Sequence, residues 1–138
     1  MTESGRPIVC IVDDDWGIRE SLRFLLEDAG YEVEEEADGA AALRLLRTQA
    51  RPRVMLLDRM MSRLDGVQTL RALDDKPDLL ERTGVLFMTA RSEPPEPEIA
   101  ELLQRTTMAT VSKPFNLDAL LSAVELASKR LAERFAGK

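Results

Sequence analysis

Val54-Met55-Leu56-Leu57-Asp58-Arg59-Met60-Met61 decides how this chain is read. Four consecutive apolar residues follow Pro52 and precede the turn-like Ser62-Arg63-Leu64-Asp65-Gly66, so they predict a strand buried on both faces. Asp58 ends the run. A carboxylate at the carboxyl end of a buried strand stands where open α/β sheets bind their ligands. The plainer alternative is a helix cap or turn aspartate, because Asp is favoured at such boundaries. The neighbouring segments decide between the two.

Towards the N-terminus, Ile8-Val9-Cys10-Ile11-Val12 is a second apolar run, rich in β-branched residues, and it runs straight into Asp13-Asp14-Asp15. Ile18, Leu22, Leu25, Leu26 and Ala29 then recur at helical spacing, with Gly30 placed to end the helix. Tyr31 to Glu36 alternates apolar and acidic residues and predicts an outer strand. Asp38-Gly39 predicts a turn and N-cap for a helix carrying Ala41, Leu45 and Leu46. Towards the C-terminus, Val67, Leu70 and Leu73 predict a helix that fades near Lys76-Pro77. Val85-Leu86-Phe87-Met88 predicts a buried strand ending in Thr89-Ala90-Arg91. Pro94, Pro95 and Pro97 cannot be helix interior. A short helix from about Glu98 to Arg105 and a strand at Ala109-Thr110-Val111 follow. Lys113-Pro114-Phe115 breaks that strand, and Asn116 caps a long last helix through Leu131 and on towards Phe135.

Strands alternating with helices imply (βα)5, a doubly wound parallel sheet with right-handed crossovers. At 138 residues the chain is expected to form a single domain, 1–138, with its core at about 7–127 and 128–138 as a helix extension or linker. The net charge of −6 argues against gripping nucleic acid, which needs a basic face. No apolar run approaches the ~18 residues of a membrane span, and no signal peptide precedes Ile8, so a cytoplasmic location is expected. Cys10, the one cysteine, reads as core filler. The chain contains no histidine, which excludes His-based triads, His metal sites and a phosphohistidine on this chain.

Asp13 and Asp14, Asp58, Thr89 and Lys113 each follow a different strand, so the sheet should bring them to one edge. Carboxylates 4 Å apart repel by about 4 kcal/mol per pair at an effective dielectric near 20. Such a cluster takes up protons or binds a cation. With oxygen donors alone the cation should be hard, Mg²⁺ first and Mn²⁺ as the alternative. Mg²⁺ accepts phosphate oxygens, and one carboxylate could then be the nucleophile that forms an aspartyl phosphate. Taken singly, each residue also has a dull role: a solvated cap, a turn threonine, a surface lysine. The set in this order carries the weight.

From Ile8 to Ala127 the chain resembles the receiver domain of two-component response regulators. The matching pieces are Ile11-Val12-Asp13-Asp14-Asp15, Leu56-Leu57-Asp58-Arg59-Met60-Met61 with Asp65-Gly66, Met88-Thr89-Ala90-Arg91 and Lys113-Pro114-Phe115. The resemblance implies a flavodoxin-like fold with strand order 2-1-3-4-5. It implies that Asp58 accepts a phosphoryl group from a phosphohistidine on a histidine kinase or phosphotransfer protein. Asp13, Asp14, Asp58 and the Met60 backbone carbonyl would hold Mg²⁺, Thr89 and Lys113 would contact phosphoryl oxygens, and Lys113–Pro114 would be cis. A downstream effector is implied, with no membrane or nucleic acid bound by this chain itself and a homodimer left open. The protein would not be an enzyme in the ordinary sense, although it would catalyse its own phosphorylation and slow dephosphorylation.

Three departures stand out. Ser62 replaces a usual proline, Thr110 replaces a usual aromatic, and the Thr89–Lys113 segment is long and proline-rich. All three are expected to bear on signalling output rather than on the acid pocket. Met60 offers no hydrogen bond to a hydrolytic water and Arg91 could cover the phosphoryl group, so a long-lived phosphorylated form is expected. The alternative is a phosphorylation-independent interaction module on the same fold. A Mg²⁺-dependent phosphohydrolase would need a carboxylate at Met60. A flavodoxin would need hydroxyls and amides where Asp13-Asp14-Asp15 repels anions.

Overall fold

The apolar runs become the strands of one parallel sheet, and the residues between them become its helices. The computed structural model describes residues 5–90 and 93–136. In chain order the elements are β1 (Ile8–Val12), α1 (Trp16–Asp28), β2 (Val33–Glu36), α2 (Gly39–Thr48), β3 (Arg53–Asp58), α3 (Gly66–Asp74), α4 (Pro77–Glu81), β4 (Thr83–Thr89), α5 (Pro97–Thr106), β5 (Ala109–Ser112) and α6 (Leu117–Ala136). The sheet order is β2-β1-β3-β4-β5 with every pair parallel, as the flavodoxin-like α/β reading expects.

The period-2 alternation of strand side chains sorts the core into two halves. On one face Val9, Ile11, Val54, Leu56, Leu86 and Met88 meet α1 and α6. On the other, Cys10, Val12, Met55, Leu57, Val85 and Phe87 meet α2, α3, α4 and α5. β3 is buried along its whole length because it lies at the centre of both halves. Burying a Val, Leu, Ile, Phe or Met side chain contributes about 1.5–3 kcal/mol, so this central strand anchors whatever sits at its end. Leu131 of α6 is fully buried, and Phe135 packs against the same core half.

Three details differ from the sequence expectation. A separate short helix, α4, follows where helix was expected to fade. Pro77 suits the first turn of a helix, and the Lys76 carbonyl accepts from the N–H groups of Leu79 and Leu80. β4 begins at Thr83, not Val85; Thr83 is buried yet satisfied, because its hydroxyl donates to the Leu79 carbonyl at 2.8 Å. A search for apolar runs passes over such a residue. β2 begins at Val33, and Tyr31 is instead buried beneath the Arg6 guanidinium, 3.9 Å from the ring centroid. The Lys113–Pro114 bond is cis.

Gly66 lets the carboxyl end of β3 lie close against the start of α3. A Cβ there would lie 2.5 Å from the Asp58 carbonyl oxygen and 2.8 Å from the Arg59 Cα, both backbone atoms that cannot rotate away. Gly66→Ala is therefore expected to destabilise the fold by about 1–3 kcal/mol, as overpacking does, in urea melts with an unchanged slope. Stability equal to wild type would show that the α3 terminus shifts freely.

Candidate functional site

The carboxyl ends of β1, β3, β4 and β5 bring the predicted residues together. Asp13, immediately after β1, is buried; its Oδ1 accepts the Asp15 N–H at 2.9 Å and its Oδ2 the Lys113 ammonium at 3.1 Å. Asp58, the last residue of β3, accepts from the same ammonium through Oδ1 at 2.8 Å, and its side chain is 8% exposed. Asp14 is exposed at the mouth. One carboxylate oxygen from each of Asp13, Asp14 and Asp58 lies within 4.8 Å of the other two. Thr89 ends β4 one residue beyond Met88, the register partner of Asp58, and its carbonyl accepts the Lys113 N–H at 2.9 Å. Lys113 thus reaches the pocket because β5 is zipped onto β4 up to Thr89 and Ser112.

Burial pushes the Asp58 carboxyl above the usual aspartate range. The Lys113 hydrogen bond pulls the other way, and the Asp13 and Asp14 charges add to the rise. Burial also works against the Lys113 ammonium, but hydrogen bonds to Asp58 and Asp13 outweigh it and hold the lysine above its ordinary value. The two shifts have one cause: carboxylates crowd a partly buried pocket into which Lys113 reaches. The donor set is oxygen alone, since the chain has no histidine and Cys10 is buried in the core with its thiol pushed up by burial. These residues fit a hard divalent cation.

Four residues behave in ways that sequence spacing did not show. Asp15 does not join the pocket; its Oδ1 accepts the Ile18 N–H at 3.2 Å and caps α1. Ser62, expected to affect output, touches the pocket instead: its backbone N–H donates to Asp14 Oδ2 at 3.1 Å, a bond that proline cannot make. Arg19 donates to the Asp13 carbonyl at 2.7 Å. Thr110 is exposed and lines an open cleft of about 140 Å³ with Phe87, Thr89, Pro95 and Leu103. The Met60 side chain is 73% exposed two residues past Asp58. Arg91 lies outside the described residues. An Arg at the first turn of α1 and a Glu on β2 were visible signals for the Arg19 contact, but only their convergence reveals it.

Comparison with known proteins agrees with this geometry. Residues 9–125 match the response regulator receiver domain family. The chain is 38% identical over 122 residues to response regulator MprA of Mycobacterium sp. (strain KMS), covering 88% of this chain and 50% of that protein. MprA of Mycobacterium avium (strain 104) is likewise 38% identical, with 51% of its length covered. The chain therefore spans about half the length of the curated relatives it matches. Among solved structures, a CheY-like receiver domain protein from Methanospirillum hungatei JF-1 superposes with a TM-score of 0.79 at 30% identity, covering 91% of this chain and 96% of that one. Vibrio cholerae CheY4 superposes with a TM-score of 0.73 at 29% identity, covering 88% and 98%. The acid pocket, the strand order and these matches agree: the chain belongs to the response regulator receiver domain family of two-component systems.

Proposed function

We propose that Asp58 accepts a phosphoryl group from a phosphohistidine of a partner histidine kinase or phosphotransfer protein, and that the change signals to a downstream effector. The observation that carries this is the convergence of Asp13, Asp14, Asp58 and Lys113 at one sheet edge. An Asp58 carboxylate oxygen attacks phosphorus, the P–N bond to the donor imidazole breaks, and the leaving imidazole takes a proton. Lys113 sits where its ammonium can shift from Asp58 to an equatorial phosphoryl oxygen, and Thr89 ends the adjacent strand to donate to another. Asp13, Asp14, Asp58 and the Met60 carbonyl are the groups that would hold Mg²⁺. When bound, Mg²⁺ supplies charge neutralisation for the transferred group and for the crowded carboxylates. The chain, residues 1–138, is accordingly a single receiver domain that serves as a phosphoacceptor rather than a turnover enzyme, works in the cytoplasm and binds no nucleic acid itself. Among the described residues, no helix is long and apolar enough to cross a membrane.

Incubation with acetyl phosphate tests this. Mg²⁺-dependent gain of one phosphoryl group, read by intact mass, is the expected result, with Asp14→Ala weakening Mg²⁺ affinity by at least about tenfold, since losing a ligand costs no less than losing a group that orients one. Labelling that ignores EDTA, or equal Mg²⁺ titrations for wild type and Asp14→Ala, would place the site elsewhere. No labelling at all would leave the phosphorylation-independent module.

Output is expected to depart from an aromatic-coupled switch. Thr110 is small and polar where an aromatic ring would couple, and Pro94, Pro95 and Pro97 stiffen the connection into α5. Beryllofluoride, a phosphoryl mimic, should change amide exchange near Asp58 and in the loops after Asp58 and Thr89. Changes of equal size across Ile99–Val111 and the first turns of α6 would refute weak coupling.

A further inference from the structure

Arg19 stands outside the acid pocket, yet it ties the pocket to the far edge of the sheet. Its Nη1 donates to the Asp13 carbonyl at 2.7 Å and its Nε to Glu35 Oε1 at 3.2 Å, with the side chain 15% exposed. The other polar groups of Asp13 already have partners: its N–H donates to the Glu36 carbonyl, Oδ1 accepts from Asp15 and Oδ2 from Lys113. The carbonyl belongs to the peptide that joins Asp13 to Asp14. Holding it sets the torsions on either side, and with them the direction in which the exposed Asp14 carboxylate leaves the chain. Arg23 donates through Nε to the other Glu35 oxygen, Oε2, and leaves Oε1 to Arg19. β2 contributes no side chain to the carboxylate cluster but anchors the loop that does.

We propose that Arg19 is a positioning residue that aims Asp14 at the cation, with Glu35 of β2 as its anchor. This rests on reading the pocket as a Mg²⁺-dependent phosphoacceptor site. The sign of the effect separates positioning from charge. Deleting a cation beside three carboxylates favours Mg²⁺ by Coulomb attraction alone, whereas losing the clamp disfavours it. Arg23 is the internal control, because it carries the same charge and shares Glu35 but does not hold the Asp13 carbonyl.

The test titrates Mg²⁺ into wild type, Arg19→Gln, Arg19→Lys and Arg23→Gln, followed by fluorescence of the neighbouring Trp16. Amide exchange at Asp14 and Asp15 is measured on the same proteins in EDTA. Arg19→Gln should bind Mg²⁺ about tenfold more weakly despite its added negative charge, the cost of losing one outer orienting contact. Arg19→Lys should lie between it and wild type, since one ammonium cannot span both acceptors, and Arg23→Gln should bind as tightly as wild type or tighter. Exchange at Asp14 and Asp15 should accelerate in Arg19→Gln alone. Arg19→Gln binding as tightly as Arg23→Gln, with equal exchange, overturns the proposal. If Arg19→Gln does not fold, Arg19→Lys against Arg23→Lys decides by the same criteria. Wild-type protein that shows no Mg²⁺ response overturns the metal-site reading itself; faster exchange in Arg19→Gln alone would then retain the clamp, and equal exchange would remove it too.

Discussion

Asp58→Asn is expected to reduce labelling by acetyl phosphate to background while the chain stays folded. The amide has the shape of the carboxylate but lacks a nucleophilic oxygen. The neighbouring acids are poor substitutes: Asp13 is buried with both oxygens hydrogen-bonded, and Asp14 accepts from Ser62. The same variant should melt above wild type in EDTA at neutral pH. Burial holds the Asp58 carboxyl above its ordinary range, which means that the ionised form is disfavoured in the fold relative to the unfolded chain. Asparagine removes that charge and keeps the volume. Undiminished labelling would sink Asp58 as the phosphoacceptor, and a lower Tm would mean that its attraction to Lys113 outweighs the cost of burial.

Lys113→Met is expected to have the largest effect on stability, a loss of about 3–5 kcal/mol in EDTA at pH 7, the usual result of removing one partner from a buried ion pair. Lys113 is 19% exposed, which favours the lower end. Its ammonium is the group that separates Asp13 from Asp58, at 3.1 and 2.8 Å. Without it two buried carboxylates face each other, and the Asp58 carboxyl, already raised, rises further. A carboxyl whose folded-state pKa is raised imposes no penalty below its unfolded value of about 3.9; the penalty grows from there and levels off once pH passes the folded value. The gap between the variant and wild type should therefore be small near pH 4 and open towards pH 7. The lysine's own shift has the opposite sense: its raised pKa contributes stability that is complete at pH 7 and is lost only as pH rises through the folded-state value. Added Mg²⁺ should restore part of the loss, and labelling should fall with the missing ammonium. Urea melts across pH 4–8, with and without Mg²⁺, measure all of this; a gap that is constant with pH would show that the loss is packing rather than charge.

Much of this was legible because hydrophobic patterning is local. A strand or helix announces itself within ten residues, so Ile8–Val12, Val54–Leu57 and Val85–Met88 stood out as strands with a polar residue at each carboxyl end. Alternation with helices then dictated a parallel sheet and gathered those ends at one edge. α4 and the start of β4 were less legible. Pro77 reads as a breaker until it is seen at a helix start, and Thr83 reads as polar until Leu79 is seen to accept its hydroxyl.

Polar partnership is a different matter, because it depends on distances that no local pattern contains. The sequence alone determined which strands exist, that Asp13, Asp14, Asp58, Thr89 and Lys113 end them, and that a chain without histidine must rely on oxygen donors. Only the tertiary structure decided that Lys113 bridges Asp58 and Asp13, the latter 100 residues away, that Asp15 turns aside to cap α1, that the Ser62 amide holds Asp14, and that Arg19 reaches back to Asp13 from a helix and out to Glu35 on an edge strand. Each of these is a contact of about 3 Å between groups whose separation along the chain says nothing of their separation in space.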